Sequence, residues 1–243
     1  MRLALTLARN DLFSLRRDPL LIYLALVPWL MVLLVRLAVP GLTVWLRQTQ
    51  GVDLQLYYPL IVSFFFVMEI PMIIGVVMGL LLLDERDDGV LTALGVTPVS
   101  GLRFLRYRLW LMIGLSAVHV LVCAPLTGMV PPPAWPRLVP VAVLSSLFAP
   151  LLALIMAVFA GNKLEGLALM KALGVLLVGP VAAYFIRSPW QLALGVMPSY
   201  WWARAYWALG RSGEMWACLG VGTVYHAALI LWLAGRFRRR AQI

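Results

Sequence analysis

Six apolar runs, near positions 20–39, 58–83, 109–130, 138–160, 170–186 and 214–235, constrain this chain more than any other feature. A hydrocarbon layer about 30 Å thick requires roughly 20 apolar residues per helical crossing, so each run is a candidate transmembrane helix. Lipid offers no partner to a bare N–H or C=O, and a single segment can satisfy its own backbone only as a helix. The expected fold class is therefore all-α: a polytopic membrane protein of six spans forming one domain over residues 1–243. Charged residues make up 12% of the chain, about half the share in a soluble domain, which excludes a soluble fold.

The net charge is +10, and all but two of the 20 basic residues are arginine. In a polar chain this would suggest nucleic acid. Here the basic residues punctuate apolar runs, so anionic lipid headgroups are the expected partner and nucleic acid is not. Cys123 and Cys218 each fall inside an apolar run and read as small buried residues rather than a disulfide. The first run is too long for the core of a signal peptide, and no cleaved leader is expected.

The basic residues also set an orientation. Fourteen of the 20 lie in segments 1–19, 84–108 and 161–171 and in the tail from Arg236 to Arg240, whereas the alternate side holds Arg36, Arg47, Arg137, Arg187, Arg204 and Arg211. By the positive-inside rule both termini are predicted to be cytoplasmic. Residues 1–18 are not a span: Leu5, Ala8, Leu12 and Leu15 share a face while Arg2, Arg9 and Arg16 recur every seven residues, the pattern of an amphipathic helix in the headgroup plane. Asp18-Pro19 breaks it. Pro131-Pro132-Pro133-Ala134-Trp135-Pro136 predicts a stiff, extended external connector.

No Gly-rich phosphate cradle is present, since neither Lys163 nor Lys171 follows a glycine, and no metal helix, nucleophile elbow or Cys/His cluster is found. No catalytic residue, metal site or cofactor site is assigned to this chain. The richest polar stretch is the loop at 84–106. Its acids stand at its start, Val90, Leu91 and Leu94 form an apolar stripe, and Thr97-Pro98 ends it, which reads as a short amphipathic cytoplasmic helix or as a solvated loop. Arg103, Arg106 and Arg108 read as headgroup anchors.

An amphipathic N-terminal helix, six spans and a Glu-x-x-x-Gly-x-Leu-x-x-Leu-x-x-Thr-Pro-x-Ser loop after the second span resemble the permease subunits of type-2 ABC exporters. The short drug-export permeases, of the fluoroquinolone-export kind, are similar in length and loop character. The resemblance implies that the loop is a coupling helix docking on a separate ATPase subunit, with Glu85, Asp88, Gly89, Leu91, Leu94, Thr97, Pro98 and Ser100 at the contact. It also implies a second permease copy, identical or related, enclosing the export path with this one. ATP and Mg would sit on the ATPase, and the host membrane would be the bacterial cell (inner) membrane. The Asp87-Asp88-Gly89-Val90 run departs from the Gly-Thr pair of many members.

Within the hydrocarbon, Glu69 is the outstanding group, because a charged side chain at mid-membrane costs about 2.5 to 3.5 kcal/mol on insertion scales. Pro71 beside it removes an N–H and bends the helix. On a helical wheel Phe65, Glu69, Met72 and Val76 share a face, which suggests the wall of a cation pathway; the alternative is a protonated Glu69 bonded to a neighbouring span. His119 falls within about 6 Å of the same depth and could meet Glu69. Gly75 and Gly79 form a small-xxx-small packing pair. The external segment at 187–213 is rich in Trp and Tyr, and Ser199 to Leu209 reads either as a helix dipping into the surface or as a plain aromatic belt; the family resemblance makes it a re-entrant lid.

The leading function is thus the membrane-spanning subunit of an ATP-driven exporter of small amphiphilic compounds. The alternative is an autonomous proton-coupled secondary transporter using Glu69, against which stand the missing internal repeat and the single strong intramembrane acid. An integral membrane enzyme finds no metal or nucleophile set to work with.

Overall fold

The computed structural model describes residues 19–89 and 101–241; the amphipathic helix expected over 1–18 lies outside them. All regular structure among the described residues is helical, and six helical segments are long and apolar enough to cross a membrane. Span 1 is α1 (Pro19–Gln50). Span 2 runs through a 3-10 turn (Leu54–Tyr57), α2 (Tyr58–Val62), a π-helical segment (Ser63–Met68) and α3 (Glu69–Asp87). Span 3 is α4 (Gly101–Leu126), and span 4 joins α5 (Trp135–Ser146) to α6 (Phe148–Phe159). Span 5 is α7 (Lys163–Leu173), a 3-10 turn (Gly174–Leu177) and α8 (Val178–Phe185). After a 3-10 stretch (Pro189–Val196) come α9 (Ser199–Trp207) and span 6, α10 (Ser212–Ala241).

Span 4 is the axis of the bundle: 83% of its most apolar window is buried and 61% of span 2's, against 22 to 33% for the other four. Spans 2 and 4 therefore form the protein core, and the others turn much of their surface to lipid. The two glycines of span 2 explain the central contact. A Cβ at Gly75 would stand 2.6 Å from the carbonyl oxygen of Ala149, and one at Gly79 would stand 3.2 Å from the Cα of Ala153, so the backbones of α3 and α6 touch without intervening side chains.

Prolines bend these helices and neighbouring groups repair the loss. α1 continues through Pro40 to Gln50, beyond the end expected at 39, because stopping there would leave backbone groups bare in hydrocarbon. Arg36 then reaches the other side of the contact, donating to the Leu126 carbonyl at the end of α4 at 2.7 Å. Pro150 cannot bond Ser146, and span 4 breaks at Leu147 accordingly. Pro180 leaves the Leu176 carbonyl free, and the Ser199 hydroxyl donates to it. This bond pins the start of α9 to the break in span 5.

Two expectations need correction. The proline-rich connector is extended only at Pro131; Pro132–Ala134 is a 3-10 turn, and Pro136 lies in the first turn of α5, where its missing N–H has no intrahelical partner to lose. Span 3 ends at Leu126 rather than near 130, because Gly128 takes φ +76° just beyond the last turn.

With six crossings, Pro19 and Ala241, the ends of the described residues, fall on the same side as Asp87 and Gly101, here called the basic face. Ala134→Cys, in a background without Cys123 and Cys218, is expected to react with an impermeant thiol reagent added to intact cells. Labelling confined to inverted vesicles would reverse the orientation.

Candidate functional site

At the basic face α3 runs unbroken through Asp87 and is capped by Asp88, so Asp84-Glu85-Arg86-Asp87 closes a transmembrane helix instead of opening a coupling helix. Carboxylates at a helix C-terminus oppose its dipole. Here each has a partner. Asp84 accepts from Lys163 Nζ at 2.8 Å, Glu85 pairs with Arg108, and Asp87 accepts from the Lys163 backbone N–H at 3.4 Å. Arg86 donates to the carbonyls of Ala157, Ala160 and Gly161 at 3.3, 3.0 and 2.6 Å, closing the C-terminus of α6. One turn of span 2 thereby grips spans 3, 4 and 5.

The partners are themselves fixed. Asn162 caps α7 by accepting from the Glu165 N–H at 2.9 Å, while the Glu165 carboxylate accepts from the N–H of Gly161, the residue before the cap, at 2.6 Å. A Cβ at Gly166 would come within 2.5 Å of Leu83 Cδ1, so α7 lies directly on α3. Arg108, expected as a headgroup anchor, is instead only 3% exposed, with its guanidinium carbon 5.2 Å from the Phe104 ring centroid. Its pairing with Glu85 turns it inward. Asp88 is exposed and Gly89 has φ +73°, a left-handed conformation that lets the chain leave the helix. Leu91, Leu94, Thr97, Pro98 and Ser100 lie outside the described residues.

The second region surrounds Glu69. The π-helical turn ends at this residue, whose N–H bonds the Phe64 carbonyl, and Pro71 follows two positions later. Widened π turns recur at functional positions. Glu69 and Met72 are half-buried and Phe65 is 36% exposed, so these three share an outward face of the single chain. Val76, expected on that face, is 3% exposed and packs in the core, because α3 is pressed against α6 at this level: a Cβ at the adjacent Gly75 would stand 2.6 Å from the Ala149 carbonyl oxygen. The Glu69 side chain makes no hydrogen bond or ion pair among the described residues. His119 does not meet it: its Nδ1 lies 2.8 Å from the Leu115 carbonyl and its ring stands edge-on to Trp29 at 6.1 Å.

The aromatics of the 187–213 segment divide: Trp190 is exposed, as a belt residue would be, whereas two of those in α9 are not. Tyr200 and Trp202 of α9 are both fully buried, with the Trp202 ring 4.9 Å from Phe148 and 4.9 Å from His226. Sequence reasoning gave His226 no role, and no pattern of spacing could have placed it against α9. Arg204 donates to Glu214 at 3.0 Å, tying α9 to the first turn of α10, and Trp207 donates to Ser63 at 3.0 Å, tying it to the π turn. Gly222 makes the close packing possible, since a Cβ there would stand 2.8 Å from Trp201 Cβ. α9 thus dips among spans 2, 4 and 6 from the opposite face. An open cleft of about 590 Å³ lies beside it, lined by Tyr58, Met129, Arg137, Tyr206 and Trp207 among others.

Residues 11–234 match the family model described as fluoroquinolones export permease protein Rv2686c-like. Two relatives, named fluoroquinolones export permease protein MT2760 and Rv2686c, come from Mycobacterium tuberculosis strains CDC 1551 / Oshkosh and ATCC 25618 / H37Rv. Each is 36% identical over 233 residues, which is 96% of this chain and 92% of the relative. No solved structure matches.

Proposed function

The chain belongs to the Rv2686c-like family of fluoroquinolones export permeases, and from that membership we propose that it is the membrane-spanning subunit of an ATP-driven ABC exporter. Its cargo would be small amphiphilic compounds, the fluoroquinolone class included, moved outward across the bacterial cell membrane. A separate ATPase chain binds ATP and Mg and docks on the loop that leaves span 2 at Asp88 and Gly89. A second permease copy faces the Phe65, Glu69 and Met72 surface and completes the path.

The observation that carries this reading is the closure of span 2 at the basic face. Four consecutive charges at this end of span 2 are all paired, with partners on three other spans, where the chain leaves α3. Such an investment suits a loop that receives force. A chain without a phosphate cradle must take its energy from elsewhere.

Replacing both Leu91 and Leu94 with Asp places two charges on the apolar stripe of that loop. The neighbouring ATPase subunit is expected to be lost on co-purification while the permease still inserts. Undiminished co-purification would count decisively against docking on this loop.

A further inference from the structure

Asp84-Glu85-Arg86-Asp87 forms the last turn of α3, and its charged groups are paired with groups on other spans, from the buried Arg108 to the half-exposed Lys163. Three of the four contacts run to a different span each: Glu85 to α4, Arg86 to the end of α6, and Asp84 to the start of α7. Arg86 is the most constrained. Its flat fork is hydrogen-bonded to the carbonyls of Ala157, Ala160 and Gly161 around the α6 terminus, a pattern that the single ammonium of a lysine cannot reproduce. Lys163 is held twice, through its ammonium by Asp84 and through its backbone N–H by Asp87, and the Asn162 cap with the Glu165–Gly161 bond fixes the turn between spans 4 and 5.

We infer that this tetrad is a rigid joint. It makes the basic-face ends of spans 2, 3, 4 and 5 move as one block, so that a displacement delivered beyond Asp88 reaches the export path instead of being absorbed by bending of α3. Arg86 is the principal positioning residue and touches no cargo. A looser end of span 2 would let the ATPase cycle without moving the block. The inference rests on the proposed ATP-driven export and adds to it the route by which force enters the bundle.

The joint makes an unusual prediction for a cross-link. Asp84→Cys with Lys163→Cys removes one strap, and Cys123 and Cys218 are replaced so that only the new thiols react. In the reconstituted complex with its ATPase, basal ATP hydrolysis is expected to persist while cargo moved per ATP falls by roughly tenfold, within the range typical of coupling between distant sites. A short bifunctional thiol reagent joining the two positions is expected to restore the ratio, since a joint that moves as a block tolerates a fixed link. Arg86→Lys, which keeps the charge and loses the fork, is expected to lower the same ratio without releasing the ATPase. An undiminished ratio in both uncross-linked variants, or transport abolished by the link, would overturn the joint. A wild-type complex that transports without hydrolysing ATP would instead overturn the proposed function and is read before either variant.

Discussion

Gly75→Leu is expected to leave no folded permease that survives extraction into detergent. A Cβ at this position would lie 2.6 Å from the Ala149 carbonyl oxygen and 2.9 Å from its Cα. Both obstacles are backbone, so no rotamer change relieves them. Overpacking in soluble cores costs about 1 to 3 kcal/mol where side chains can yield. Here the two most buried spans must part instead, which opens the contact on which the other four are arranged. Gly79→Leu meets the flexible Met156 Sδ at 2.8 Å first, with the Ala153 Cα at 3.2 Å, and should be milder. Size-exclusion profiles and thermal unfolding of the purified variants check the order. A monodisperse Gly75→Leu protein with wild-type melting would show that spans 2 and 4 do not make the contact described.

The glycine pair was legible because small residues four apart on an apolar helix have few uses other than close packing. The six spans were legible for a similarly coarse reason: the hydrocarbon thickness fixes a length, and charge is too costly to hide. What escaped the sequence depended on where helices stop and turn. The acids of residues 84–87 read as the opening of a helix, since local charge patterning cannot tell a first turn from a last one when both lie beside Gly89; the partners that stabilise the last-turn placement, Lys163 and Arg108, are remote in the chain. The π turn at Ser63–Met68 was equally hidden, and so was the burial of Val76, which depends on the packing of α6 beside Gly75. Trp202 followed an interfacial composition, yet it is buried because Ser199 bonds the carbonyl that Pro180 leaves free and draws α9 inward. Composition located the aromatics, and only tertiary hydrogen bonding decided their depth.

Glu69→Gln is expected to reduce export of cationic amphiphiles by roughly tenfold, a single lost charge contact in a low-dielectric path being worth about 1.4 kcal/mol or more, while neutral compounds are moved as before. A carboxylate at mid-membrane is unfavourable by about 2.5 to 3.5 kcal/mol, and a packing role would offset this with a hydrogen bond to another span. Glu69 makes none among the described residues. Its half-buried side chain shares an outward face with Phe65 and Met72, where a wet path between two permease copies would supply the missing solvation. That placement separates the two roles. A partnered structural acid would lose thermal stability on Glu69→Leu, because the group left behind would be buried and unsatisfied. A path-lining acid with no partner predicts unchanged or higher stability for the same substitution, together with the loss of charge preference. ATP hydrolysis stimulated by one cationic and one neutral compound, compared in reconstituted wild type, Glu69→Gln and Glu69→Leu alongside their melting temperatures, reads both properties at once. Equal stimulation by the two compounds in wild type and variants alike would remove Glu69 from the path, and a destabilised Glu69→Leu would place its partner on the second copy.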